Sequence, residues 1–97
     1  MQTYVILRRN GWKTVADLEE AAVRSTAEGD KMPDDIRWIR SYVLSERDGE
    51  VGTVCIYQGS SPEAILEHAG RAGLPADEII EVGGTVIVRP DPAPVAA

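Results

Sequence analysis

The chain has 97 residues, 43% of them hydrophobic and 27% charged, with 16 acidic against 10 basic side chains and a net charge of −6. That length fits one domain, with a core modest enough to gain from a partner's surface. The acidic balance, with no basic stripe anywhere, argues against nucleic acid or an anionic membrane as partner. One cysteine, Cys55, excludes an internal disulfide framework. With no run of about 18 apolar residues and no basic-then-apolar leader, a cytoplasmic protein that does not enter the membrane is the expectation.

Residues 4–7, Tyr-Val-Ile-Leu, form a short β-rich run ending at Arg8, Arg9 and the turn residues Asn10 and Gly11. Thr14 with Asp17 three residues later is a variant capping box, and Val15, Leu18, Ala22 and Ser25 keep helical spacing until Gly29 and Asp30. Residues 36–45 and 51–58 read as two strands. The Asp48-Gly49 pair between them is a strong hairpin signal.

A second helix starts at Ser61, whose hydroxyl can accept from an unpaired N–H of the first turn, with Pro62 and Glu63 suited to that turn. Ile65, Leu66, Ala69 and Ala72 give its apolar stripe, with His68, the only histidine, on the flank. Gly73 and Pro75 stop it. Residues 78–82 and 85–89 complete a last strand interrupted by Gly83-Gly84. Residues 1–89 are then one domain, and residues 90–97, with three prolines, an extended and weakly held tail.

The order strand, helix, strand, strand, helix, strand is the split pattern of an α+β, ferredoxin-like βαββαβ domain: a four-stranded antiparallel sheet with two helices on one face. The strands carry apolar residues on both faces, so the helix-free face needs a cover, and a homodimer supplies it most simply. The helix stripes are small (Ala22 and Ser25, Ala69 and Ala72), so large sheet residues belong opposite them. This places Tyr4, Trp38, Tyr42 and Tyr57 under the helices, and Val5, Leu7, Ile39, Val43, Val54 and Ile56 on the dimer face.

On that arrangement His68 overhangs Tyr57, Tyr42, Trp38 and Cys55, with Arg40 on the same strand parity and Tyr4 nearby. A concave apolar region with a few converging polar groups is the usual form of a small-molecule site. His68 suits a general base or a metal ligand, and the tyrosines suit hydrogen-bond donation. Plainer roles compete: a hydrogen-bonded structural histidine, a buried Cys55 acting as a small hydrophobe, aromatics that only fill the core, and a Ser25 bonded back to its own helix. One histidine, one cysteine and carboxylates fall short of a tight transition-metal site unless a partner chain contributes. Gly70 and Gly73 lie at a helix end, so they form no phosphate loop, and no spacing supports a Ser41–His68–Asp77 triad.

Three stretches, Trp38-Ile-Arg-Ser-Tyr-Val43, Cys55-Ile-Tyr57 and His68-Ala-Gly-Arg-Ala-Gly-Leu-Pro-Ala-Asp77, resemble a group of small bacterial ferredoxin-like proteins of unknown function, one branch of which is described as nickel-binding. The resemblance covers roughly residues 3–82. It implies a dimeric α+β barrel and raises nickel, or another divalent transition metal, as a ligand. Of the histidines it implies for nickel, the chain carries His68; Leu7 and Arg8 stand where the first strand would bring one, and Leu74 where another would follow. The leading expectation is a homodimer binding a small molecule or metal ion between sheet and helices through His68 and Tyr57. The alternatives are a cofactor-free cyclase, isomerase or oxygenase with His68 as base and Tyr57 or Tyr42 stabilising an enolate, and a structural or regulatory dimer with no ligand.

Overall fold

The structure is a computed structural model that describes residues 1–94; the last three residues of the 90–97 tail lie outside the described residues. In chain order the elements are β1 (Gln2–Trp12), α1 (Val15–Asp30), β2 (Ile36–Ser45), β3 (Val51–Gly59), α2 (Pro62–Ala72) and β4 (Glu78–Glu81). The strands form one antiparallel sheet in the order β2-β3-β1-β4, the ferredoxin-like arrangement, with both helices on one face. Among the described residues no helix is long and apolar enough to cross a membrane.

The local signals explain where the elements begin and end. Thr14 accepts from the Asp17 N–H at 3.2 Å and Ser61 from the Ala64 N–H at 3.1 Å, so each helix opens on a side-chain cap. Gly73 closes α2 in the left-handed conformation (φ 68°), which lets the Leu74 N–H reach the Ala69 carbonyl at 2.8 Å. Asp48 and Gly49 both take positive φ in the turn joining β2 to β3.

Tyr4 pairs with Tyr57, Ile6 with Cys55 and Arg8 with Thr53, and these side chains face the helices. With Met32, Ile36, Ala64 and Ile65 the apolar members make the core. Val5, Leu7, Val54 and Ile56 take the opposite face, as alternation requires.

In β2 the alternation breaks. Trp38 pairs with Tyr57, but Arg40 pairs with Ile56, so Ile39 is an extra residue in the strand. The bulge inverts the parity of everything after it. Ser41 and Val43 pair with Cys55 and Thr53 on the helix side, whereas Arg40 and Tyr42 pair with Ile56 and Val54 on the helix-free side. The expected places of Tyr42, Arg40 and Val43 are therefore corrected: the first two lie away from the helices and Val43 lies beneath them.

β4 is also shorter than the sequence suggests. Tyr4 stands opposite Glu81 and the Val82 N–H bonds the Thr3 carbonyl at 2.9 Å, after which the pairing ends. Continued, that register sets Gly83 and Gly84 beside Gln2 and Met1, and no residue of β1 stands opposite residues 85–89. They form no strand. Among the described residues of the tail, Asp91 accepts from the Tyr42 hydroxyl at 2.6 Å and pairs with Arg40 across the helix-free face.

Candidate functional site

The bulge has a direct effect on packing beneath α1. It removes the large Tyr42 from the helix side and sets Ser41 and Val43 there, opposite the small Ala21, Ala22 and Ser25 of the helix. Small residues on both sides leave space. A cavity of about 220 Å³ lies between α1 and the sheet, walled by Leu18, Ala22, Val43, Trp12 and Trp38 and floored by Ser41, Thr53, Cys55 and Tyr57.

The floor is tied together by a chain of hydrogen bonds. Trp38 Nε1 donates to Ser41 Oγ at 2.8 Å, Ser41 Oγ donates to Cys55 Sγ at 3.0 Å, and Cys55 Sγ donates to Thr53 Oγ1 at 3.3 Å. Cys55 is buried and uncrosslinked, a small hydrophobe within a hydrogen-bond chain. Tyr57 stacks on Trp38, with centroids 5.9 Å apart and planes 7° from parallel, and its hydroxyl lies 3.0 Å from Ser25 Oγ. Burial pushes the Tyr57 phenol above its ordinary pKa, against smaller opposing effects from the Ser25 hydrogen bond and the Arg8 charge.

Arg8 is among the residues that line the cavity. Its side chain is 1% exposed, Nε donates to the Pro75 carbonyl at 2.6 Å, and the guanidinium carbon is 5.9 Å from the Tyr57 ring centroid. Nη2 is buried with no hydrogen-bond partner. The backbone at Arg8 is fixed from two sides. A Cβ at Gly52 would come within 2.5 Å of the Arg8 carbonyl oxygen, so only glycine permits this approach of β3. On the other side the loop after α2 ties to β1 through the Asp77 N–H to the Leu7 carbonyl (3.1 Å) and the Arg9 N–H to Asp77 Oδ2 (2.7 Å).

His68 is not on a flank. Ala64, Ile65, His68, Ala69 and Ala72 form the buried stripe of α2, with His68 1% exposed, while Leu66 is 54% exposed and faces outward. The ring joins the two helices, Nε2 lying 2.9 Å from the Ser25 carbonyl. Since a carbonyl only accepts, Nε2 carries the proton, and Nδ1 is left buried without a partner. His68 and Trp38 also border a separate open cleft of about 420 Å³ at the C-terminal end of α1, with Gly29, Asp30, Pro33 and Arg37.

Of the residues selected from sequence, Trp38, Tyr57 and Cys55 therefore meet at the cavity, His68 reaches it through Ser25 and the Tyr57 ring, 5.5 Å away centroid to centroid, and Tyr4 belongs to the core. Tyr42 and Arg40 are on the other face, where the Tyr42 hydrogen bond and the Arg40 charge hold the Asp91 carboxyl below its ordinary pKa. Arg8, Ser41 and Thr53 were missed as site residues. The signal for Arg8 was its parity with Tyr4 and Ile6, obscured by reading the strand as ended at Leu7. Among the described residues no three His, Cys, Asp or Glu side chains come together as metal ligands. With one nitrogen of His68 committed to a carbonyl and the other enclosed, the residues of one chain do not fit nickel.

Comparison with known proteins agrees with this architecture. No curated protein matches the chain. The crystal structure of SCO4226 from Streptomyces coelicolor A3(2) superposes with a TM-score of 0.66 at 22% identity, over 87% of this chain and 99% of that one, a likeness of fold. Residues 4–82 match the family described as nickel responsive protein SCO4226-like, a span that runs from the first core tyrosine through the end of β4. The chain belongs to the SCO4226-like family of nickel responsive proteins.

Proposed function

We propose that the protein is a cytoplasmic homodimer that binds a small molecule in the cavity between α1 and the sheet. The single observation behind this is the apolar space of about 220 Å³ bordered by Trp12, Trp38, Val43 and Tyr57. The space is half open to solvent, and a concave apolar region with a few polar groups is the common form of a ligand site. The family's name makes nickel the natural competitor, but the donor set of one chain favours an organic occupant. Indole, an apolar probe of suitable size, tests the reading by methyl NMR. Shifts at Leu18 and Val43 with none at Leu66 support it, and an unchanged spectrum at saturating indole overturns it.

The dimer has its own support. Ile80 of β4 is exposed beside Val5, and Val86, Ile87 and Val88 of the following segment are 77 to 91% exposed, a run of large apolar residues that a second copy would cover. Sedimentation at micromolar concentration should give twice the 10.5 kDa chain mass, and Ile80→Asp should lower it. A wild-type monomer refutes the dimer while leaving the cavity untouched.

A further inference from the structure

Arg8 is the group in the molecule that its surroundings explain least. Arginine stays charged at any ordinary pH and brings five N–H donors. Burying such a charge without a counter-charge is costly, and proteins avoid it by pairing. Here the guanidinium is 1% exposed, spends Nε on a neutral carbonyl, rests near a tyrosine ring and leaves Nη2 without a partner. Among the described residues no carboxylate forms an ion pair with it, including Glu19 on the wall of the same cavity.

The rest of the cavity points the same way. Its floor donors are spent from Trp38 through Ser41 to Cys55, and the chain ends at Thr53, whose hydroxyl accepts from Cys55 and is the one donor along it without an acceptor among the described residues. Its walls are side chains such as Leu18, Ala22, Val43 and Leu74. One buried positive group among the residues lining a half-open apolar cavity matches one negative group on an apolar body. A doubly charged phosphate would bring a second charge against hydrocarbon, whereas a carboxylate delivers a single charge in the planar geometry that guanidinium recognises.

We propose that this cavity binds a small apolar monocarboxylate, ring-sized or branched, with its carboxylate paired to Arg8 and its body between α1 and the β2–β3 floor. The assignment rests on the cavity reading above and adds the chemical class of the occupant. It also accounts for the clamp on Arg8: Gly52 and Asp77 fix the backbone around it and the Pro75 carbonyl holds its Nε before any ligand arrives, which lowers the ordering cost of binding.

The test uses benzoate, its uncharged counterpart benzyl alcohol, and inorganic phosphate, each titrated into the full chain and followed by methyl NMR and by the Arg8 Nε–H resonance. Benzoate should bind about tenfold more tightly than benzyl alcohol, or better, and move the Arg8 resonance. Arg8→Gln should erase that preference while benzyl alcohol still binds, which shows the variant to be folded. Ala22→Leu, which keeps Arg8 and fills the chamber, should lose both probes and serves if Arg8→Gln does not fold. Equal affinity for benzoate and benzyl alcohol refutes the carboxylate and leaves the cavity reading standing; failure of every probe refutes both. Phosphate binding more tightly than benzoate refutes the apolar body.

Discussion

The contact between Ser25 and Tyr57 ties α1 to the centre of the sheet, and a double-mutant cycle measures it. Both side chains are buried and their hydroxyls are 3.0 Å apart. Ser25→Ala leaves the Tyr57 hydroxyl buried and unpaired, a penalty of about 1–3 kcal/mol, of which roughly half a kcal/mol returns through alanine's better helix propensity. Tyr57→Phe keeps the ring stacked on Trp38 and leaves Ser25 Oγ, which can turn to a carbonyl of its own helix, so the cost should be about 1 kcal/mol. The double variant removes donor and acceptor together and should cost less than about 1 kcal/mol, because no buried polar group is stranded. The expected coupling is therefore about 1 kcal/mol or more, read from urea unfolding of the four proteins with m-values held equal. For a chain of this size that corresponds to a difference of about 4–8 °C in Tm. The Ser25 carbonyl that receives His68 is backbone and survives both changes. Single costs that simply add, within about 0.5 kcal/mol, would show that the two hydroxyls do not meet and that α1 is seated differently.

Gly52→Ala places a methyl 2.5 Å from the Arg8 carbonyl oxygen and 2.6 Å from Glu46 Oε1, so it should destabilise by about 3 kcal/mol and move the Arg8 Nε–H resonance; an alanine variant of native stability would count against the close approach of β1 and β3. Tyr57 supplies a pH test. Its phenol has a raised pKa in the folded state, so the contribution is intact below the ordinary value of 10.0 and is lost as pH rises through the higher folded value, since only the unfolded chain ionises easily there. Wild-type stability should fall above about pH 10 more steeply than that of Tyr57→Phe, and parallel curves would exclude burial as the cause.

Much of the fold could be read from residues whose local chemistry has few alternatives. Thr14, Ser61, Gly73 and the Asp48-Gly49 turn each mark a boundary that the structure keeps, and alternation from Tyr4 to Leu7 correctly separates the two faces of β1. What escaped was non-local. A bulge such as that at Ile39 has no residue signature, because it is settled by how β2 fits the twist and register of β3. Arg40 was a clue even so, since strict alternation would have put its charge between Trp38 and Tyr42 beneath the helices. Hydrophobicity alone draws Leu66 into the stripe and sets His68 on its flank, although Ala64, Ile65, His68 and Ala72 fit the helical period as well. For residues 85–89, composition favours a strand, but β1 offers nothing opposite them.

The two tryptophans of the chain, Trp12 and Trp38, both border the cavity under α1, one from β1 and the other from β2. Indole emission depends on the polarity and mobility of its immediate surroundings, so the whole tryptophan fluorescence of this protein originates from residues bordering this one cavity. An unlabelled solution thus carries its own optical gauge of that chamber, and a non-absorbing occupant, a branched aliphatic acid for instance, can be weighed against an empty protein by emission wavelength alone.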